Sequence, residues 1–448
     1  MRPRMKRKVF IQKSALVAMG SMLAPSILLS SCSEHDLPDK ISFKGKVLII
    51  GAGAAGLYAG HLLRSKNIEF EIIEASSRIG GRLEKLTGFS DVDLDLGGQW
   101  LHGNKSSLAK ELKSKGVETN IDNTDLSYWF NKKIVTNTPQ DVEAMFEAES
   151  LPDVSYRDYA TSQGLGIDYS NIVEAVAADS GADAGKLSAY WKVKEEEEWS
   201  SGEDDYTFKH SFYDAFMSTI DKEVIDQITL NSVVKSVNYS QSNIEVKNTK
   251  GDSFNCARVI VTVPISILQS DDIQFIPNLS ENKMNAIKKI GIGYGMKVFL
   301  KFDKVFYRKN LLGGKICAAY IDAMEGKSGS DNVLMAFIMG EQAQSLTSLG
   351  NDTSIFNALI TELDEMYDDQ ASGSFISGHV KDWSTDPHIR GAYSFSTVGI
   401  GNARSVATES IDNRIFFAGE AMNTNGHHQT VHGAMETAFE QVSKILVT

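Results

Sequence analysis

The chain has 448 residues, of which 42% are hydrophobic and 23% are charged, as in globular proteins rather than disordered ones. This length can hold two or three domains around ample core. The net charge of −13 argues against a nucleic-acid partner and is compatible with a cationic substrate, although a need for solubility alone would also explain it.

The first 31 residues are typical of a targeting segment. They contain no acidic side chain, and their apolar run at 15–29 is too short to span a membrane as a stable helix. The basic residues ahead of this run are Arg2, Arg4, Lys6, Arg7, Lys8 and Lys13. We predict a signal peptide at 1–31 and a polar tether at 32–44.

The end of this segment, Leu29-Ser30-Ser31-Cys32, resembles the lipobox of bacterial lipoproteins. The resemblance implies a lipid anchor on Cys32 and a periplasmic or membrane-anchored protein. Residues 7–11 also resemble a twin-arginine export motif in which Lys8 replaces the second arginine. The alternative is a cleaved secretory signal with an incidental Cys32. Since Cys256 and Cys317 alone remain, a disulfide scaffold is excluded and no more than one bridge can form.

A dinucleotide-binding pattern follows the tether. A buried parallel strand is predicted at 46–50, a glycine turn at 51–56, a helix from 57 and a second strand at 69–73. In such a turn Gly51 permits the bend, Gly53 admits a pyrophosphate and Gly56 allows close helix packing. The second strand ends at Glu74, whose carboxylate can accept both ribose hydroxyls. An ordinary glycine turn is the alternative, but it would not require these elements in this order.

Arg78-Ile79-Gly80-Gly81-Arg82 comes next and resembles the extended motif of flavin enzymes of the amine oxidase type. The resemblance implies FAD rather than a nicotinamide cofactor. It nominates the following residues for cofactor binding: Gly51, Gly53, Ala54, Ala55, Gly56, Glu74, Ala75 and Arg82.

The segment Asp95-Leu96-Gly97-Gly98-Gln99-Trp100-Leu101-His102-Gly103 is similar to the Asp/Glu-x-Gly-x-x-Trp-x-His-Gly segment of polyamine oxidases, within the flavin monoamine oxidase family. The resemblance implies that His102 lines a substrate tunnel and that residues 97–100, which are Gly97, Gly98, Gln99 and Trp100, contact the cofactor. From composition alone, His102 would be a solvent-exposed loop histidine.

Residues 104–220 are predicted to be a mainly helical insertion. Their acidic run at 195–205 is typical of a solvated face, and the alternative is a rim that attracts polyamine cations. Beyond it, residues 230–234 resemble the family strand whose valine meets the adenine, which nominates Val234. Residues 257–264 resemble the next strand of the same domain.

A second sheet is predicted to begin within residues 291–302. Alternation places Met296, Val298, Leu300 and Phe302 on one face and Lys297, Phe299 and Lys301 on the other. Solvent exposure would explain both lysines. The resemblance to polyamine oxidases and lysine-specific histone demethylases instead implies that Lys297 holds a water against flavin N5.

The C-terminal third returns to the cofactor. Residues 383–394 resemble the family's Trp-x-x-Asp-Pro…Arg-Gly-x-Tyr-Ser segment, which nominates Trp383 and Tyr393. Ala392 stands where monoamine oxidases have the cysteine that bonds the flavin, so FAD should be non-covalent. A buried strand at 415–417 leads to Gly419 and Glu420, and a last helix opens at Thr430 and Val431 with its N-terminus available to the flavin.

Together these features predict an α/β protein with a Rossmann-like FAD-binding domain, of the glutathione reductase and p-hydroxybenzoate hydroxylase type, and an interleaved α+β substrate domain. FAD-binding parts are expected at 45–103, 221–288 and 383–448, and substrate-domain parts at 104–220 and 289–382. The resemblance implies an amine oxidase that uses dioxygen or another acceptor, with Lys297, His102 and Tyr393 at the reacting centre and no metal. The alternatives are an amino-acid oxidase, a desaturase or a non-catalytic FAD-binding lipoprotein.

Overall fold

The computed structural model describes residues 36–137, 139, 142 and 151–448. The predicted signal peptide and Cys32 lie outside the described residues. Within the described part of the chain, every helix is too short or too polar to cross a bilayer.

The strands of the described residues are, in chain order, β1 Val47–Ile50, β2 Phe70–Ile73, β3 Lys85–Leu86, β4 Leu94–Asp95, β5 Leu101–His102, β6 Thr119–Ile121, β7 Ser127–Phe130, β8 Lys133–Val135, β9 Asp205–Phe208, β10 Ile228–Thr229, β11 Val234–Asn238, β12 Ile244–Asn248, β13 Ser253–Cys256, β14 Arg258–Val261, β15 Gln274–Ile276, β16 Ile290–Ile292, β17 Gly295–Phe302, β18 Asn310–Leu312, β19 Ala319–Asp322, β20 Asn332–Met339, β21 Phe375–Asp382, β22 Ser394–Ser396 and β23 Ile415–Phe417.

The α-helices of the same residues are α1 Ala54–Ser65, α2 Ser107–Ser114, α3 Tyr156–Ser162, α4 Ser170–Asp179, α5 Ala189–Glu198, α6 Phe212–Met217, α7 Lys222–Ile225, α8 Ile265–Gln269, α9 Glu281–Lys289, α10 Gly340–Thr347, α11 Asp352–Tyr367, α12 Gln370–Ser374, α13 Ala403–Thr408 and α14 Val431–Leu446. Short 3₁₀ turns lie at Ile167–Tyr169 and Glu420–Met422.

The dinucleotide-binding domain is built on a five-stranded parallel sheet of order β10-β2-β1-β14-β23. Helices α1 and α14 cover one face of this sheet, and the four-stranded sheet β13-β12-β11-β15 covers the other. Because both faces are covered, the central strand β1 is apolar at every position and fully buried. The predicted order of strand, glycine turn, helix and parallel strand is confirmed.

The second domain is built on a seven-stranded sheet of order β21-β17-β20-β19-β18-β7-β8. Strand β17 lies inside it, paired antiparallel with β20 and β21. The face of Met296, Val298 and Leu300 packs against α11, whereas Phe299 packs on the opposite face. The predicted alternation along this strand is confirmed, and so is the α/β fold with an interleaved substrate domain.

Three expectations differ from the structure. Residues 36–44 are not a polar tether, because Leu37 and Phe43 are buried in the core of the dinucleotide-binding domain. The Ser42 amide also donates to the carbonyl of Leu446, which fixes this segment beside the last helix. Both side chains are apolar, so their burial in this core is favourable.

The strand predicted at 230–234 is wrong for its first four residues. They connect β10 to β11, and Val234 is the first residue of β11. Asn231 has φ of 54°, a left-handed conformation that breaks an extended run. Residues 104–220 are also less helical than predicted, since β6, β7, β8 and β9 lie there and β7 joins the edge of the large sheet by pairing with β18.

Candidate active site

One elongated cavity lies where the carboxyl ends of the parallel strands meet the second sheet. On one side it is lined by the ends of β1, β2 and β14, and on the other by side chains of β17, β19 and β20. In open parallel sheets, ligands bind at this carboxyl edge. The sequence-predicted residues that line the cavity are Gly51, Gly53, Ala54, Ala55, Glu74, Ala75, Arg82, Gly97, Gly98, Gln99, Trp100, His102, Val234, Lys297, Trp383, Tyr393, Gly419, Glu420, Thr430 and Val431.

The glycine turn between β1 and α1 forms one end of this cavity. Gly51 has φ of 109°, which side chains rarely tolerate. A Cβ on Gly53 would meet no protein atom nearer than the Cα of Gly81 at 4.0 Å, so the space beside it is open. Gly56 lies behind the turn, where a Cβ would come within 1.9 Å of the Gly51 carbonyl oxygen. A different constraint therefore requires glycine at each of the three positions. Of the three, Gly53 is the one that leaves room for a ligand.

Glu74 lies at the end of β2 beside the turn. Its Oε2 accepts the Ala52 amide at 2.7 Å, and its Oε1 accepts the Ser76 amide at 2.8 Å. Each carboxylate oxygen has a second acceptor site, so Glu74 can hold the turn and still receive hydroxyl groups. Its contact with a ribose stays a prediction.

Glu420 follows β23 at the middle of the cavity wall. Its carboxylate is bound by Arg82 at 2.8 Å, by the Ser394 hydroxyl at 2.7 Å and by the Gln429 amide at 3.0 Å. Burial alone would raise the pKa of Glu420, but Arg82, Ser394 and Arg404 outweigh burial and lower that pKa to about 2. Glu420 is therefore ionised at neutral pH and holds Arg82 at the cavity.

Lys297 on β17 is 4% exposed, so the solvent-exposed interpretation is wrong. Its ammonium donates to the carbonyl oxygens of Gly97, at 2.7 Å, and Asp95, at 3.1 Å, and also to the side-chain oxygen of Gln99. Burial lowers the pKa of Lys297 from its usual value to about 7. At neutral pH this side chain is thus divided between an ammonium and a neutral amine.

His102 is only partly exposed and pairs with the carboxylate of Asp205, with 2.7 Å between Nδ1 and Oδ1. The pairing of β5 with β9 brings these residues together, since His102 lies opposite Asp205 in the register. Both side chains line the cavity. His102 is therefore not a free loop histidine. Its carboxylate partner, Asp205, is the last residue of the acidic run at 195–205.

The rest of the acidic run is divided. Glu195 on α5 pairs with buried His428 at 3.2 Å, and Glu196 pairs with Lys192 at 3.1 Å. Glu197 and Glu198 are exposed, as expected of a solvated face. Sequence alone treated the run as one unit, either a solvated face or a cation-attracting rim, whereas α5 places its members on different faces and Asp205 lies on β9.

Tyr393 lines the cavity and donates its hydroxyl to the backbone oxygen of Asp179 at 3.1 Å. Its ring packs directly on Gly181, where a Cβ would lie 2.5 Å from the ring. Thr430 caps α14, with its Oγ1 accepting the Gly433 amide at 2.9 Å. The Thr430 side chain is committed to the helix end, so Tyr393 has no aromatic counterpart at that position.

A family model described as flavin containing amine oxidoreductase matches residues 213–446, more than half of the chain. The chain belongs to this family of flavin-containing amine oxidoreductases. A second model, described as an NAD(P)-binding Rossmann-like domain, matches residues 49–113, which include the glycine turn. The second match covers the glycine-turn end of the cavity, and the first covers cavity residues of both domains.

Relatives of this chain include human lysine-specific histone demethylase 2, which is 30% identical and is aligned over 97% of this chain and 57% of the demethylase. Probable polyamine oxidase 4 of Arabidopsis thaliana is 28% identical, over 87% of this chain and 84% of that protein. The chain thus spans only somewhat more than half the length of the demethylase.

Solved structures show the same fold. Putrescine oxidase bound to putrescine matches with a TM-score of 0.76 and 20% identity, covering 90% of this chain and 99% of that one. Cyclohexylamine oxidase from Brevibacterium oxydans IH-35A matches with a TM-score of 0.76 and 16% identity, over 90% and 99% of the two chains. At these identities the likeness concerns the fold.

The cofactor of this flavin-containing oxidoreductase is FAD. The residues present fit such a group, because Gly53 leaves open space at the N-terminus of α1, where backbone amides and the helix dipole favour a diphosphate. The N-terminus of α14 borders the same cavity through Thr430 and Val431. Arg82, Glu74 and Glu420 supply the polar groups along its length.

Several cavity residues were not predicted as site residues from sequence. They are Asp179 on α4, Asp205 on β9 and the pair Asp272 and Arg390, which bind each other at 2.6 Å. Arg390 belongs to the motif at 383–394 and Asp205 to the acidic run, but neither pattern by itself shows that the residue reaches the cavity, and no motif marks Asp179 or Asp272. Gly56, in contrast, was nominated for the cofactor and supports the turn from behind.

Proposed function

We propose that this protein is an FAD-dependent amine oxidase that acts on a primary or secondary amine. FAD, held by the glycine turn, Arg82 and Glu420, would supply the two-electron oxidation of the amine to an imine, with dioxygen as the final acceptor and hydrogen peroxide as the reduced product. One observation carries the proposal: the glycine turn and the buried Lys297 line the same cavity.

The protein's own part in this chemistry is to orient the amine, exclude water and control protons. A neutral Lys297 keeps two N–H donors and gains a lone pair, so it can hold a water or accept a proton. Gln99 and the Gly97 carbonyl fix the Lys297 nitrogen in place. Trp100 and Phe337 supply apolar surface beside it, which lowers the local dielectric.

Tyr393 would present an aromatic face to the amine. Its hydroxyl bond to Asp179 and its contact with Gly181 fix the ring orientation. A cationic amine over such a face is stabilised by about 0.5–2 kcal/mol. Tyr393 thus supplies one aromatic face, and Thr430 on α14 supplies no second ring.

The charges of the cavity favour an amine over an amino acid. In the described part of the chain, both arginines that line the cavity are paired, Arg82 with Glu420 and Arg390 with Asp272, so neither is available as a carboxylate clamp. The carboxylate of Asp205 lies at the cavity beside His102. A substrate with a second ammonium group, such as a diamine or polyamine, would find a complementary charge there, and the names of the polyamine and putrescine oxidases agree with this class.

A peroxide-coupled screen tests the proposal. Purified protein reconstituted with FAD would be offered polyamines, diamines, monoamines and L-amino acids, with peroxide measured by a peroxidase reaction. We expect peroxide from at least one amine and a preference for diamines or polyamines. Peroxide from amino acids alone would replace the proposal by an amino-acid oxidase.

The polyamine part has its own test. Asp205→Asn should raise KM for a diamine by about tenfold or more and change KM for a monoamine little, because one charge contact is lost. Glu197→Gln, on the exposed side of α5, serves as the matched control and should change neither. Equal changes for both substrates would mean that Asp205 only supports His102.

A further inference from the structure

Behind Lys297 lies a second buried lysine, and one carboxylate stands between them. Asp95 is 2% exposed, and its Oδ2 receives the Nζ of Lys327 at 3.1 Å. Its Oδ1 accepts the Phe212 amide at 2.8 Å, while its backbone oxygen accepts the Nζ of Lys297 at 3.1 Å. Lys327 also donates to the His210 carbonyl at 2.8 Å, and its side chain is 9% exposed.

The other charged groups around Lys297 are already paired. On the neighbouring strand β21, Lys381 lies opposite Lys297 in the register and binds Glu84 at 2.7 Å. Further along β17, Lys301 binds Asp331 at 2.7 Å. On the other neighbour, β20, the residue opposite Lys297 is the uncharged Phe337. Asp95 and Lys327 also bind each other, but Asp95 alone among these groups binds Lys297 directly, through its backbone oxygen, so this pair is the one placed to act on Lys297.

We infer that Asp95 and Lys327 are positioning residues which together set the charge state of Lys297, an inference that rests on the proposed function of Lys297. The Asp95 carboxylate favours the Lys297 ammonium, and the Lys327 ammonium opposes it. A lone carboxylate would hold Lys297 protonated, and a lone second lysine would hold it neutral. With both present, the two effects oppose each other, so the pair leaves Lys297 able to exchange a proton near neutral pH.

The directions of the shifts agree with this arrangement. Burial lowers the pKa of Lys297, Asp95 raises it and Lys327 lowers it. Burial also raises the pKa of Asp95, against the effect of the two lysines. The hydrogen bonds of the Phe212 amide and of the Asp95 and His210 carbonyl oxygens hold Asp95 and the two lysines in place, and so fix the distances between their charges.

The inference predicts opposite effects for two substitutions. Asp95→Asn removes the negative charge but keeps an acceptor for the Phe212 amide, so Lys297 should lose its proton at lower pH. Lys327→Met leaves the Asp95 charge facing Lys297 alone, so Lys297 should keep its proton to higher pH. For charges a few ångströms apart at an effective dielectric constant of about 20, each change should be about two to three pH units.

The experiment is a titration of the Lys297 Nζ by NMR in FAD-loaded protein labelled with ¹³Cε-lysine, the signal being assigned by its loss in Lys297→Met. We expect the midpoint to move down in Asp95→Asn and up in Lys327→Met. Lys327→Arg should restore the wild-type midpoint. Asp331→Asn and Lys301→Met, which break the ion pair that Lys301 of the same strand forms with Asp331, are matched controls and should leave the midpoint unchanged.

The acid limb of the turnover profile with an accepted amine should move in the same two directions. Shifts of the same sign in both variants, or no shift in either, would overturn the inference and show that the pair only supports the fold. If Asp95→Asn does not fold, an unmoved midpoint in Lys327→Met alone would overturn it. Opposite NMR shifts without any amine turnover would instead leave the inference standing and remove the proposed function.

Discussion

Arg82 Nη1 lies 2.8 Å from Glu420 Oε1, so an ion pair joins two residues that are 338 positions apart in the chain. One belongs to the segment after β2 and the other follows β23. Their contact joins the first and last parts of the dinucleotide-binding domain, which the substrate domain separates in the sequence. It also places both charges at the cavity. The FAD site therefore depends on this long-range contact.

Glu420→Gln should destabilise the protein by up to about 3 kcal/mol, because Arg82 and buried Arg404 would then face an uncharged amide. The pKa of Glu420 is lowered to about 2, so its stabilising contribution is fully present above the unfolded value near 4.5 and is lost as the pH falls toward 2. Urea unfolding at several pH values checks this. The difference between wild type and variant should be large at pH 7 and shrink below pH 4.

The control for this substitution is Glu71→Gln, which breaks the more exposed pair of Glu71 with Lys46 and should cost less than about 1 kcal/mol. A constant difference between wild type and Glu420→Gln from pH 7 down to pH 3 would contradict the assigned ionisation of Glu420.

Gly53→Val should leave the protein folded but prevent FAD binding. A Cβ on Gly53 would meet no protein atom nearer than the Cα of Gly81 at 4.0 Å, so the added side chain would enter the space left open for the cofactor. We expect an unchanged circular dichroism spectrum and at least a hundredfold weaker FAD binding by fluorescence titration. Retention of tight FAD binding would show that the diphosphate does not lie at this turn.

Gly56→Ala provides the contrast within the same turn. Its Cβ would lie 1.9 Å from the Gly51 carbonyl oxygen, so the substitution should lower the free energy of unfolding by about 1–3 kcal/mol or more. Thermal melting of the protein without added FAD distinguishes the two variants, since the melting temperature should fall in Gly56→Ala and stay unchanged in Gly53→Val.

Lys297→Met should slow turnover by tenfold or more while FAD stays bound, because the methionine fills the space but carries no proton. In the wild type, turnover should increase with pH through about 7 as Lys297 becomes neutral. The measurements are the pH profile of turnover and the flavin absorbance of both proteins. Lys301→Met, on the same strand, is the control and should turn over normally; an unchanged rate in Lys297→Met would remove this lysine from the mechanism.

FAD should leave the protein on acid precipitation, since Ala392 offers no sulfur for a covalent bond. Ala392 lines the cavity, and its carbonyl accepts Arg82 at 2.8 Å. The yellow colour should appear in the supernatant, and chromatography should identify it as FAD. Flavin that stays in the pellet would mean a covalent attachment at another residue.

The sequence predicted those secondary-structure elements that are determined by residues close together in the chain. The strand that ends at Glu74 and the helix capped by Thr430 each depend on neighbours in the chain and were placed correctly, whereas the helix after the glycine turn begins at Ala54, three residues before its predicted start at 57. The alternation along β17 was also readable, since the period of a strand is two residues.

The sequence could not reveal partners that only tertiary packing brings together. Asp205 pairs with His102 because β5 and β9 are neighbours, and Lys327 reaches Asp95 across 232 positions. Leu37 and Phe43 were assigned to a tether because their flanks are polar, whereas burial of the two apolar side chains against the last helix decided their structure. Asn231 broke a predicted strand through its backbone conformation.

The most direct test is an anaerobic titration of the FAD-loaded protein with a diamine or polyamine, followed by absorbance. We expect the flavin band near 450 nm to bleach with the amine and to return when air is admitted, with peroxide formed in proportion. A band that remains unbleached with every amine class, in protein shown to hold FAD, would contradict the proposal that this cavity oxidises amines.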